Sequence, residues 1–250
     1  MKNNRPYKNA PIVEAALEFI IDPPVKSEEG KYAGNSFSQI QKTLQEEYPI
    51  KKDIQAANIS FQISSGSHTT NTQQVLCGIR LESADKKLVF QALDNRFVFS
   101  QLAPYTEWAD FINETQKLWN VYKKALKPKN ITRIGLRYIN QIVFENKDMK
   151  LENYFELYPH IPKPKKYPLS NFIVQIQLSL KENQMATVRQ VLAPPRDGKA
   201  AVILDIDVFT QKKFAAGHKD VWNVIEKMRT NKNTLFEDFI TPHTRKEFDQ

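Results

Sequence analysis

The chain has 250 residues, one cysteine and a formal net charge of +8. A single cysteine excludes an internal disulfide and any Cys-x-x-Cys metal site, and no stretch approaches the roughly 18 apolar residues of a membrane span. With 41% hydrophobic residues, 15 Phe, 9 Tyr and 3 Trp, there is material for a sizeable core, which excludes wholesale disorder.

The opening MKNNRPYKNAP lacks the apolar run of a signal peptide, so a soluble protein of the cytoplasm is expected, with no membrane partner. PIVEAALEFII, 11–21, predicts a long strand closed by Asp22-Pro23-Pro24. Phe37, Ile40, Leu44 and Tyr48 recur at helical spacing and predict a helix of about three turns. Ile59, Phe61 and Ile63 alternate as a strand does, and SSGSHTTNTQQ, 64–74, reads as a polar loop. Strands follow at about 75–83, 87–93 and 96–101, joined by turns at Ala84-Asp85-Lys86 and Asp94-Asn95. Cys77, in VLCGI, reads as a small buried hydrophobe. Thr106 stands where it can cap a helix with the stripe Trp108, Phe111, Ile112, Leu118, Trp119 and Tyr122, ended by Pro128.

The second half repeats this order. RIGLRYINQIVFE, 133–145, is a long strand, LENYFELY a short helix, and PHIPKPKKYP an extended loop. Residues 171–180 alternate, with Phe172, Val174, Ile176, Leu178 and Leu180 on one face. MATVRQVL and AAVILDIDVF predict two more strands. A helix from His218 to Met228 and a last helix with Leu235, Phe236, Phe239 and Ile240 complete the chain. The expected class is α+β, antiparallel sheet covered by helices, in two pseudo-repeats of strand, helix, meander and helix over 1–128 and 129–250. The heptads EAALEFI, 14–20, and RIGLRYI, 133–139, support duplication, because they match in size and polarity and differ mainly in charge.

That charge difference marks a candidate face. Strand residues two apart project together, so Glu14 and Glu18 share a face, as do Arg133 and Arg137 and, in LDIDVF, Asp205 and Asp207. Laid side by side and antiparallel, the two long strands put Glu14 opposite Arg137 and Glu18 opposite Arg133, with the aspartates meeting the arginines from a neighbouring strand. Gly135 leaves room between the arginines for an anion or a covering ring, which makes a small-anion or enzymatic site the sharper alternative. Asn140 falls on the otherwise apolar face of Ile134, Leu136, Tyr138 and Ile142, where burial demands a hydrogen bond to backbone or ligand.

No nucleophile elbow, Walker loop, dinucleotide fingerprint or zincin helix occurs, and His68, His160, His218 and His243 are far apart. No cofactor or metal is implied. The basic residues are spread: Lys123, Lys124, Lys127 and Lys129 suit a helix C-terminus, while Lys163, Lys165 and Lys166 sit beside Tyr167 in the Pro-rich loop. Lysines interleaved with aromatics can hold phosphates and stack on bases, so nucleic acid is the alternative partner.

Four segments, YKNAPIVEAALEF, TEWADFINETQKLWNVY, RIGLRYIN and LDIDVF, resemble in order a family of sporadically distributed prokaryotic proteins of this size. Where such a family would place GxP before the central helix, this chain has Leu102-Ala103-Pro104. The resemblance carries over no catalytic residue and implies only a setting, mobile or defence loci of the CRISPR type. The expected function is a non-enzymatic accessory or regulatory one, exercised by binding another protein through loops 64–74 and 159–168 and the basic helix ends.

Overall fold

The computed structural model of the chain describes residues 7–24, 34–64, 67–144, 150–162, 166–167, 169–196 and 199–250, of which 57–64, 67–73 and 195–196 by backbone alone. Alternation sets its layering. In β1 (Ile12–Ile21), Ala15, Leu17, Phe19 and Ile21 are buried while Glu14, Ala16, Glu18 and Ile20 are half-exposed, so the strand has one core face. After it come α1 (Gly34–Leu44), then β2 (Ile50–Ser64), β3 (Ser67–Glu82), β4 (Leu88–Leu93) and β5 (Arg96–Leu102), then α2 (Trp108–Leu126). The second half runs β6 (Asn130–Phe144), a 3-10 turn at Leu151–Asn153, β7 (Ile173–Ser179), β8 (Gln184–Arg196), β9 (Lys199–Thr210), the short β10 (Phe214–Ala215), α3 (Asp220–Phe239) and α4 (Pro242–Asp249).

The strands form one antiparallel sheet in the order β2-β3-β4-β5-β1-β6-β9-β8-β7, with β10 on the end of β6. The class is therefore α+β, as the alternation predicts. The order is mirrored about the β1–β6 seam: each long strand lies at the centre, and a meander returns to its flank. α1 packs against α2 and β3, α2 against β5, and α3 against β6 and β9. Their apolar stripes meet the inward strand residues in one core, centred on Phe19, Phe97, Trp119 and Tyr122 with ring centroids 4.7–5.7 Å apart. The buried Tyr122 hydroxyl donates to the carbonyl of Leu93 at 2.7 Å, and burial holds its acidity well below a free phenol's. Among the described residues no helix is long and apolar enough to cross a membrane.

Several expectations are corrected. Most of the predicted loop 64–74, His68 included, is strand: β3 pairs with β2 down to Ser67, so the Thr-rich stretch completes a long hairpin. Threonine suits a strand, and polarity alone does not make a loop. Thr106 does not cap α2; the N-cap is Glu107, without a side-chain bond, and Thr106 instead accepts from Gln101. LENYFELY gives only the 3-10 turn and a bridge from Phe155 to Ile240. The two C-terminal helices expected over 218–240 are the single α3, because Arg229–Thr234 contains no breaker. α4 follows, capped by Thr241 with Pro242 in its first turn. With seven glycines in the chain, left-handed turn positions fall to Lys86, Lys127, Glu182 and Asn183, with φ between 48° and 61°.

Candidate functional site

β1 and β6 pair at the centre as expected, but two residues out of the expected register. Ala16 lies opposite Arg137, Glu18 opposite Gly135, and Ile20 opposite Arg133. A two-residue slip keeps every side chain on its face, so the charged face survives while its partners change. Arg133 reaches diagonally across Gly135: Nη1 binds Glu18, and Nη2 binds Asp207 Oδ2 at 2.6 Å. A methyl group at 135 would overlap that guanidinium. The Phe209 ring covers it, 4.7 Å from Cζ. Arg96 approaches Glu18 from the other side at 3.4 Å. Arg137 grips Asp205 with two parallel bonds of 2.8 and 2.7 Å, which raise the arginine's affinity for its proton further. Burial pushes the Asp207 carboxyl up, and its ion pair with Arg133 only partly offsets this. Glu14 faces Ile139 and forms no ion pair among the described residues. Both guanidinium forks are thus occupied by the chain's own carboxylates. Among the described residues Arg133–Glu18 is the ion pair that crosses from β6 to β1, while Arg133–Asp207 and Arg137–Asp205 join β6 to β9.

Asn140 is 2% exposed, and its amide nitrogen donates to the Leu204 carbonyl of β9 at 3.0 Å. In the Pro-rich loop, Lys166 lies 5.1 Å from the ring of Tyr167, itself 55% exposed; Lys163 and Lys165 lie outside the described residues. Cys77 is half-buried, donates weakly to the Ile54 carbonyl at 3.4 Å, and has its thiol pushed up by burial. Among the described residues no group of three or more His, Cys, Asp or Glu could hold a metal ion.

The two edges of the sheet differ. β2 carries Lys51, Lys52 and Asp53 and a bulge at Ile54/Gln55, features that discourage pairing with another chain. β7, which among the described residues pairs only with β8, has no charge from Asn171 to Leu180, no proline and no bulge in its pairing with β8. Its outward residues Ile173, Gln175, Gln177 and Ser179 are all exposed, Ile173 at 66%.

A cleft of about 490 Å³ opens where β1, β6, the start of α2 and the middle of α3 meet. Tyr7, Tyr105, Trp108, Tyr138 and Phe236 supply its aromatic walls, and the Tyr105 and Tyr138 hydroxyls bond to each other at 3.0 Å. Lys232 enters from α3 with its ammonium 3.9 Å from the centre of the Tyr138 ring. Burial, with Arg229 nearby, lowers its pKa to about 7. Sequence reasoning missed this lysine, although a signal exists. Val221, Ile225, Met228, Lys232 and Leu235 are spaced by four and three, which places the lysine inside the apolar stripe of α3. The flagged Asn140 lines the same cleft. No protein-family model matches the chain, and no curated protein matches it.

Proposed function

We propose that the protein is a non-enzymatic accessory or regulatory component that binds another protein by strand addition to β7. The carrying observation is that edge: a regular, uncharged, unbulged strand with exposed outward residues, on a sheet whose opposite edge is guarded. An extended segment laid along it gains main-chain hydrogen bonds at every second residue, and the outward side chains set specificity. Lys181 and Arg189 beside the edge, together with the chain's net charge of +8, favour an acidic, alternating partner segment. The mirrored strand order suits an ancient duplication, with 1–128 and 129–250 as its copies, and we propose that origin too. A defence-locus setting and a cytoplasmic location fit a small binding subunit and rest on the family resemblance and composition.

The test is capture from the native host with nuclease present, using the wild-type chain and Ile173→Lys/Gln177→Lys, which places two ammonium groups on the edge. The proposal expects a nuclease-resistant protein partner that the double variant loses at least tenfold. A partner retained by the variant removes β7 from the interface. Partners that vanish on nuclease treatment replace this proposal with nucleic-acid binding through the Lys166–Tyr167 loop. Light scattering on the purified chain separates a second copy from a different protein.

A further inference from the structure

The cleft between α3 and the β1–β6 seam is lined by two largely buried side chains, each with a polar group that meets the cleft and has no partner for it among the described residues. Lys232 is 9% exposed, and its ammonium makes no hydrogen bond or ion pair among the described residues; it rests on the face of Tyr138, with Arg229 and Glu237 near enough to act on it through space. The carboxylates around it are engaged elsewhere. Glu237 accepts from the Tyr7 hydroxyl at 2.7 Å and from Arg245 at 2.8 Å, and Glu226 accepts from the Trp108 indole at 2.6 Å and lies 3.5 Å from Arg229. Glu107 stands exposed at the rim. Asn140 is the second group. Its Nδ2 is fixed by donation to a carbonyl, so its Oδ1 is left without a donor among the described residues. Between them, the paired Tyr105 and Tyr138 hydroxyls use one proton in their mutual bond and keep one for a third oxygen.

Burying an ammonium with no counter-ion is unfavourable, and a methionine or leucine at this point of the stripe would avoid it. The arrangement is explained if a ligand supplies the missing charge. We propose that this cleft binds a small monocarboxylate carrying a flat ring, its carboxylate seated on Lys232 and the tyrosine hydroxyl pair, and its ring held between the aromatic walls. The charge count selects a monoanion. Among the described residues of the cleft only Lys232 lacks an ion-pair partner, whereas a phosphate dianion would leave a net negative charge beside Glu107 and Glu237. The Asn140 Oδ1 accepts from any N–H or O–H group on the ring. A volume of about 490 Å³ suits a ligand of one or two fused rings.

The experiment uses the full chain and four probes: benzoate, indole-3-acetate, inorganic phosphate and adenosine monophosphate. Calorimetry at pH 7 measures their binding to wild type, Lys232→Met and Tyr138→Phe, with far-ultraviolet circular dichroism confirming that each variant is folded. The proposal expects at least one aryl carboxylate to bind wild type, to weaken tenfold or more with Lys232→Met and severalfold with Tyr138→Phe, and to bind better than either phosphate probe. Reductive methylation with formaldehyde and cyanoborohydride at pH 7 gives an independent readout. Lys232 should be modified ahead of the surface lysines, and the bound carboxylate should protect it. Absence of binding by both carboxylates, equal binding to Lys232→Met, or preference for the phosphates overturns the proposal.

Discussion

Replacing Lys232 with methionine should stabilise the ligand-free protein, and the size of the gain should depend on pH. The lysine's pKa falls from an ordinary 10.5 to about 7 in the fold. Between those values the unfolded chain holds a proton that the native chain has shed, so stability rises with pH across that window. The difference is about 5 kcal/mol below pH 7 and about 4 kcal/mol at pH 7, at roughly 1.4 kcal/mol per unit. Water in the cleft and local relaxation reduce this, so the expected gain at pH 6–7 is roughly 1–3 kcal/mol. In a chain of this length 2 kcal/mol corresponds to roughly 4–8 °C in Tm. The groups acting on the ammonium are Arg229, Glu237 and the Tyr138 ring, whose hydroxyl bonds to that of Tyr105; the two phenols stay protonated throughout, because burial holds their acidity down. Urea denaturation of wild type and variant at pH 6, 7.5 and 9 measures the effect. The variant's advantage should be largest at pH 6 and shrink steadily by pH 9. A less stable variant, or an advantage that does not change with pH, refutes the reasoning.

Gly135→Ala should cost roughly 1–3 kcal/mol in urea denaturation, because the added methyl displaces the Arg133 guanidinium from Glu18 and Asp207. Adding Arg133→Met should recover part of that loss, since the overlapping atoms are gone; an undiminished loss would place the strain in the backbone. Arg137→Glu should destabilise by about 1 kcal/mol, moderated by the 47% exposure of its side chain, and Asp205→Arg in the same chain should restore most of it. Restoration by Glu14→Arg instead would mean that the seam adopts the other register.

The large-scale fold was legible because one face of its strands carries the core residues at regular intervals. Core-facing residues recur at every second position over Ala15 to Ile21 in β1, Ile134 to Phe144 in β6, Val174 to Leu178 in β7 and Val202 to Val208 in β9, and at helical spacing in α2, so element type and core face follow from pattern alone. Register was not legible for Glu18 and Arg133, because sliding by two residues leaves all buried side chains inside and changes only the partners of long, flexible charged groups. The hairpin of β2 and β3 escaped notice because its Thr- and Gln-rich half lacks apolar alternation. The cleft could not be assembled from sequence, since its walls come from four segments between Tyr7 and Glu237. Only Asn140, a polar residue among apolar neighbours, marked it. Lys232 carried the same kind of mark in a helical stripe, where a lysine is readily taken for a surface residue. The alternation over 171–180 marks a strand, but its position at the sheet edge is a property of topology.

The mirrored order of the sheet has a consequence for synthesis. β5 lies within the first half and can close on β1 while the ribosome is still working, but the other side of β1 must wait for β6, more than a hundred residues further along the chain. At roughly 5–20 residues per second the chain spends several seconds with the future centre of its sheet exposed as a bare margin. On that margin stand Glu14 and Glu18. Acidic side chains along an unpaired strand repel a second nascent chain that presents the same glutamates. When β6 arrives, Arg133 binds Glu18, while Glu14 stays without an ion pair among the described residues. The opposite charges of Glu18 and Arg133 therefore join the two central strands only after β6 has been made, and Arg96 of β5 is the cation that Glu18 can meet before then.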